Sequence, residues 1–137
     1  MRARPCQARD GSIVPLAALQ KLEIIALAQM NTTVGDFAGN AAKIREHTER
    51  AKAQGAELVL FPELALSGYP PRDFLDMSEF LQRSDRALAE LAAPAEWSRG
   101  IAFIVGFPER IEDAPPPGVY NSAALIQNGR IAGIGRK

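Results

Sequence analysis

A glutamate just after an apolar strand is the residue of this sequence best placed to do chemistry. Residues 58–61 form an apolar run that predicts a buried strand, Pro62 ends it, and Glu63 follows. Ligands of α/β sheets bind beside the carboxyl ends of the strands. A carboxylate there is partly removed from water, which favours its protonated form and makes it a better proton acceptor. Glu63 is therefore a candidate general base, although an arbitrary glutamate is more often solvated or caps a helix.

The elements that must position Glu63 follow the order β-α-β-α-β and then a β-hairpin. Apolar runs predict strands over residues 24–28, 58–61, 101–106, 123–126 and 131–134, and the first of these has the character of a central strand buried on both faces. Asn128-Gly129 predicts a two-residue hairpin turn. Alternating strands and helices predict parallel strands, and the hairpin adds antiparallel ones, so we expect an α/β fold with a mixed sheet.

Two helices are predicted between these strands. Asn40 is expected to cap the first, and Gly55 to end it. Asp76 and Glu79 form an acidic version of a capping box for the second, which Pro94 stops. Its buried stripe should comprise Phe80, Leu81, Ser84, Ala87, Leu88 and Leu91.

Composition narrows the class of protein. Sixteen basic and sixteen acidic residues leave no net charge, so neither a nucleic-acid footprint nor a membrane-binding patch is predicted. The one cysteine, Cys6, fits a reducing compartment, and we expect a cytoplasmic protein. With one cysteine and one histidine, no metal site is expected. Residues 1–21 show neither the period of 3.6 residues typical of helices nor the period of 2 typical of strands. They predict a leader that is disordered or that results from a start codon assigned too early, followed by one domain over residues 22–137.

Several segments together resemble a known family. The run from Phe61 to Pro71 (FPELALSGYPP) is similar to the first signature of the nitrilase, or carbon–nitrogen hydrolase, superfamily. Residues 28–40 (AQMNTTVGDFAGN), 105–108 (VGFP) and 120–124 (YNSAA) support the resemblance. The double proline and the residues 34–36 (VGD) favour one branch, the N-terminal glutaminase domain of glutamine-dependent NAD⁺ synthetases.

The resemblance implies a fold and a set of roles. The fold would be a partial nitrilase-like α-β-β-α sandwich, and the parent protein would be a homo-oligomer. Glu63 matches the family's general base, Lys137 its oxyanion-stabilising lysine, and Tyr69 a residue near the glutamine pocket. The nucleophilic cysteine would lie beyond Lys137, because Cys6 sits in the irregular leader, and this fragment alone would be inactive. ATP and Mg²⁺ are implied for the synthetase domain of the parent.

Two other interpretations stay open. The chain could belong to another nitrilase-type amidase that acts on a small amide, or it could be a non-catalytic α/β binding module. No glycine-rich phosphate-binding motif opens either helix, which gives the binding module no dinucleotide or P-loop support. Asn121 and Ser122 are expected to bond to nearby backbone rather than to take part in chemistry.

Overall fold

The computed structural model describes residues 24–94, 96–111 and 118–137. The predicted leader and Cys6 lie outside this part of the chain. The elements are β1 (Ile25–Leu27), α1 (Phe37–Ala53), β2 (Leu58–Leu60), a 3₁₀ helix (Arg72–Asp76), α2 (Ser78–Ala92), β3 (Ala102–Arg110), β4 (Val119–Gln127) and β5 (Arg130–Arg136). Neither α-helix of these described ranges combines the length and apolar character that crossing a membrane requires.

The sheet has the mixed topology that the element order predicts. Its strands follow the order β1-β2-β3-β4-β5; β1, β2 and β3 are parallel, and β3, β4 and β5 are antiparallel. Parallel neighbours require crossover connections, which α1 and α2 supply. The predicted α/β class and the mixed sheet are confirmed.

Helix α1 begins one turn earlier than predicted. Its N-cap is Asp36, whose carboxylate accepts a hydrogen bond from the Gly39 amide at 3.0 Å. Asn40 is therefore not the cap but a fully buried residue inside the helix. The earlier start brings Phe37 into the core, where its ring lies 5.1 Å from that of Phe80. The predicted end is confirmed, since Gly55 follows the C-cap with a φ of +84°.

Helix α2 buries the predicted stripe but lacks the predicted cap. All six residues of the stripe are buried. Asp76, however, is the last residue of the 3₁₀ helix, and the N-cap position falls on Met77, which makes no side-chain capping bond. The capping-box prediction was wrong because the 3₁₀ helix shifts the start of α2 by one residue.

The core lies between the helices and one face of the sheet. Val59, Phe103, Val105 and Ile126 on the strands pack in one cluster with Leu88 and Leu91 of α2 and their neighbours. The prediction that the first strand is central was wrong: β1 is an edge strand among the described residues, and Leu27 is 75% exposed. A short apolar run does not by itself distinguish a central strand from an edge strand whose outer side is apolar.

Candidate active site

The loop that carries Glu63 crosses the sheet directly above a glycine. Strand β2 ends at Leu60, and residues 61–68 turn over β3, where the Leu66 amide donates to the carbonyl of Gly106 at 3.2 Å. A Cβ atom on Gly106 would lie 2.4 Å from the Leu64 nitrogen. Only a residue without a side chain therefore lets this loop approach the sheet so closely.

The same loop is also held by α1 and the segment before it. The Asn40 amide donates to the carbonyls of Thr33 at 2.8 Å and Leu66 at 3.2 Å, and its oxygen accepts from the Thr33 amide at 3.0 Å. The Gly35 amide donates to the carbonyl of Ser67 at 2.9 Å. A buried amide with its hydrogen bonds satisfied fixes its neighbours, so Asn40 acts as a brace for the Glu63 loop.

A β-bulge decides which residue of β5 reaches the site. Near the turn, Ile126 pairs with Ile131, but Leu125 pairs with Gly133, so Ala132 is an extra residue on β5. Beyond the bulge, Ser122 pairs with Arg136, and the Lys137 amide donates to the Asn121 carbonyl at 3.0 Å. If every residue of β5 paired regularly from Ile131 onward, with no bulge at Ala132, Lys137 would oppose residue 120 and point to the other face of the sheet.

Glu63, Asn121 and Lys137 meet at this point. The Lys137 Nζ lies 3.5 Å from Glu63 Oε1, and the Asn121 amide donates a hydrogen bond to the same oxygen. The expectation that Asn121 bonds to nearby backbone was therefore wrong. The Glu63 side chain is 48% exposed and the Lys137 side chain is 82% exposed. Glu63 is therefore more accessible to water than its position after a buried strand suggested.

A second charged pair fixes the strand end next to Lys137. Arg136 donates two hydrogen bonds to Glu109, at 2.7 and 2.8 Å, and the Ser122 hydroxyl donates to Glu109 at 2.8 Å. Glu109 is only 6% exposed. Bonding to Glu109 raises the pKa of Arg136 above its usual value, so the charge persists at every pH near neutrality. The stability that this shift represents is lost only when strong alkali removes the proton.

Sequence reasoning missed the Glu109 pair, and the expectation that Ser122 bonds to backbone was wrong. One signal was available: Asn128-Gly129 fixes the hairpin, so residues equally distant from it must face one another. A count of residues outward from the turn does not include the bulge, which shifts the pairing of β4 with β5 by one residue. In addition, Glu109 lies on β3 and reaches Arg136 of β5 only across the intervening strand β4.

Tyr69, the other predicted site residue, follows Glu63 by six positions in the chain. It is 62% exposed. Among residues 24–94, 96–111 and 118–137, no group of three or more His, Cys, Asp or Glu side chains could hold a metal ion.

The arrangement has the parts for acid–base chemistry on a polar carbonyl group. A carboxylate can accept a proton from a nucleophile and return it to a leaving group. An ammonium a few ångströms away can stabilise the negative charge that develops on the carbonyl oxygen. The fold and the site together define an α/β domain with a hydrolase-type pair of charged groups.

Comparison with known proteins identifies the family. Residues 24–137 match the carbon-nitrogen hydrolase family, and the chain belongs to it. It is 39% identical over 113 residues to a glutamine-dependent NAD(+) synthetase of Thermotoga maritima, covering 82% of this chain and 19% of that protein. The chain therefore spans about a fifth of the length of such relatives.

Solved structures agree with this assignment. A glutamine-dependent NAD(+) synthetase from Cytophaga hutchinsonii superposes with a TM-score of 0.73 and 28% identity, over 82% of this chain and 18% of that one. An amidase from Nesterenkonia sp. superposes with a TM-score of 0.63 and 27% identity, over 82% of this chain and 41% of that one.

Proposed function

We propose that this chain is the front portion of a glutamine amidohydrolase domain that supplies ammonia for the synthesis of NAD⁺ from deamido-NAD⁺. The observation that carries the proposal is the 3.5 Å contact between Glu63 and Lys137. These two residues come from segments 74 positions apart, and the resemblance to the family had paired them. Relatives at about 40% identity that are named glutamine-dependent NAD(+) synthetases support the branch.

In the proposed reaction Glu63 moves the protons. It takes the proton of a cysteine thiol supplied by a later part of the parent chain, and the thiolate forms a bond to the amide carbon of glutamine. The carbon–nitrogen bond then breaks, and the proton on Glu63 passes to the leaving nitrogen, which departs as ammonia. Glu63 next removes a proton from water, whose oxygen forms a bond to the thioester carbon. The carbon–sulfur bond then breaks, and the proton on Glu63 passes to the sulfur, so that glutamate and the thiol are released.

Lys137 stabilises the negative charge that develops on the substrate, and Asn121 orients the carboxylate of Glu63. The Lys137 ammonium faces the oxyanion of each tetrahedral intermediate, where such stabilisation is often worth several kcal/mol. Asn121 holds one carboxylate oxygen of Glu63 through its amide, which orients the other oxygen for proton transfer. Asn121 is thus a positioning residue that the sequence did not assign.

The remaining assignments rest on the resemblance. Tyr69 contacts glutamine at the mouth of the site, ATP and Mg²⁺ serve the synthetase domain of the parent, and the parent is a homo-oligomer. The exposed apolar residues of β1 are consistent with a surface that another part of the assembly covers. We place the protein in the cytoplasm, where a synthetase would meet its nucleotide substrates.

A graft tests this function. Residues 24–137 replace the matching segment of the Thermotoga maritima relative, and NAD⁺ formation is measured with glutamine and with ammonium as nitrogen source. We expect both to support synthesis. Synthesis from ammonium but not from glutamine would show that the grafted enzyme is folded and that this segment does not serve a glutaminase.

A second candidate, a nitrilase-type amidase for small amides, is favoured by the similarity to the Nesterenkonia amidase. Variants of that protein have been solved in complex with acrylamide and with butyramide. The same graft separates the candidates, since ammonia release from butyramide at a rate above that from glutamine would favour the second.

A further inference from the structure

A groove of about 370 Å³ lies between α1 and α2, and all of its lining residues belong to these two helices. The buried side chains of Phe37, Ala87 and Leu91 form its floor. Neither Glu63 nor Lys137 lines it. The volume lies at the lower end of the range for small-molecule sites, so the groove can hold a ligand that the proposed reaction does not use.

The rim of the groove carries an excess of positive charge. Its charged side chains are those of Arg45, Arg83, Arg86 and Glu90. In the part of the chain that the structure describes, none of the three arginines forms an ion pair. The whole chain has no net charge, so these arginines are a local concentration of positive charge that attracts anions.

Arg83 is held in the groove by uncharged partners. Its Nη2 donates a hydrogen bond to the main-chain carbonyl of Gly35 at 3.3 Å, and its Cζ lies 5.2 Å from the centroid of the Phe37 ring. Both contacts fix the guanidinium group, but neither neutralises its charge. The group is therefore positioned in advance, and its other N–H donors can bind a ligand.

Arg45 is fixed in the same way about 10 Å away, measured along α2 from Arg83 to Glu90. Its Nη2 donates to the main-chain carbonyl of Glu90 at 3.1 Å, and its Cζ lies 5.7 Å from the centroid of the Trp97 ring. Its Nε is buried and has no hydrogen-bond partner. Buried donors are nearly always paired, so this atom favours the approach of an acceptor from outside the chain.

The chemistry of these groups selects the ligand. Guanidinium groups only donate hydrogen bonds, and their planar forks match the oxygens of a phosphoryl group. Arg45 and Arg83 are fixed about 10 Å apart along the helix, so one phosphoryl group would not serve both of them and Arg86. Glu90 opposes the binding of an anion, but with one charge against three.

We propose that the groove between α1 and α2 binds a small molecule with two or more linked phosphoryl groups, through Arg45, Arg83 and Arg86. An acidic protein segment is the other ligand that these charges would attract. The small molecule is favoured because the groove has the volume of a small-molecule site and because one of the donors, Arg45 Nε, is buried. The inference goes beyond the proposed function and does not depend on it.

Four probes test the proposal on the 137-residue chain at low ionic strength. They are inorganic phosphate, diphosphate, ADP and a heptaglutamate peptide, and titrations followed by ¹H–¹⁵N spectra give a Kd for each. We expect a Kd below about 1 mM for diphosphate, about tenfold weaker binding of inorganic phosphate, and shifts of amide signals confined to α1 and α2. Added salt should weaken the binding, because these charges are exposed.

ADP distinguishes the two sources of linked phosphoryl groups. An affinity for ADP above that for diphosphate would assign the ligand to the nucleotides, since the apolar floor would then contribute. An equal or lower affinity would assign it to the inorganic polyphosphates. Both outcomes support the proposal.

Charge-removing variants give effects of opposite sign. Arg86→Gln should weaken diphosphate about tenfold, and it leaves the fold intact because Arg86 is exposed and makes no hydrogen bond or ion pair with the described residues. Arg83→Gln should weaken it to a similar extent. Glu90→Gln should strengthen binding about threefold, because it removes a charge of the same sign as the ligand. Arg99→Gln and Asp73→Asn, at exposed positions outside the groove, are the controls and should not change the Kd.

Four results would overturn the inference. They are a diphosphate Kd above about 1 mM in the wild-type chain, tighter binding of heptaglutamate than of diphosphate, equal losses in Arg86→Gln and Arg99→Gln, and weaker binding in Glu90→Gln. None of them decides the proposed function, because the grafted enzyme reports glutamine use independently.

Discussion

Substitution of Gly106 by alanine should displace the loop that carries Glu63. An added Cβ would lie 2.4 Å from the nitrogen of Leu64, 3.1 Å from the oxygen of Pro62 and 3.2 Å from the carbonyl carbon of Glu63. Ordinary contact begins at 3.4 Å, so the backbone at Leu64 must move by about 1.0 Å, the difference between 3.4 and 2.4 Å. All three atoms belong to the loop, and the strand beneath it is buried, so the loop moves away from the sheet.

This shift changes the site because Lys137 and Asn121 do not move with the loop. They belong to the β4–β5 hairpin, whereas Glu63 is carried by the displaced backbone. A misplacement of about 1 Å costs a catalytic group roughly 10²-fold in rate. Overpacking also costs about 1–3 kcal/mol of stability.

Two assays follow this variant. Urea denaturation of the 137-residue chain should show the loss of stability. In the grafted enzyme, the rate with glutamine should fall about 10²-fold, while the rate with ammonium stays at the wild-type value. Gly135→Ala is the matched control, because a Cβ there meets no atom within 4 Å. Equal effects of the two alanine variants, or unchanged glutamine use in Gly106→Ala, would refute the reasoning.

The remaining predictions concern the supports of the site. Asn40→Ala should destabilise the chain by about 2 kcal/mol in urea, because it leaves buried carbonyl groups without a donor. Glu109→Gln should cost about 2 kcal/mol in the same assay, less than the 3–5 kcal/mol of a fully buried pair, because the Arg136 side chain is half exposed. Deletion of Ala132 should remove the bulge yet leave Lys137 opposite its present partner on β4, as nuclear Overhauser contacts between the strands would report.

Matched variants make these outcomes decisive. Asn31→Ala and Glu46→Gln alter exposed residues of the same types and should each stay within about 0.5 kcal/mol of wild type. Losses as large in these controls as in the Asn40 and Glu109 variants would contradict the assigned supports. For the deletion, the contrary result is the disappearance of the contacts between Lys137 and β4.

The sequence predicts the order of elements well, because periodicity and turn chemistry are local. The stripe of α2 is a repeat of three and four residues, and Asn128-Gly129 is a turn signal with a stereochemical cause: both residues have a positive φ, 51° and 74°. The caps of the helices were predicted less well. Asp36 and Asn40 both have side chains that can cap the N-terminus of a helix. Which of them does so in α1 depends on the burial of Phe37, which is a tertiary contact.

The site itself was only partly predictable. Glu63 could be placed near a strand end from local pattern, but its pairing with Lys137 came from the resemblance to a family. The register that brings them together depends on the extra residue Ala132, and a small apolar residue in a strand carries no sign of a bulge. Asn121 and Glu109 were missed for a related reason: their partners lie 58 and 27 positions away in the sequence.

The most direct test of the central claim is the effect of Glu63→Gln on the grafted enzyme, with glutamine and ammonium compared as nitrogen sources. Glu49→Gln, at an exposed position on α1, is the control. If Glu63 moves the protons of amide hydrolysis, synthesis from glutamine should fall by about 10²- to 10⁴-fold, and synthesis from ammonium should not change. Retention of glutamine-dependent synthesis at the level of the control would contradict the account.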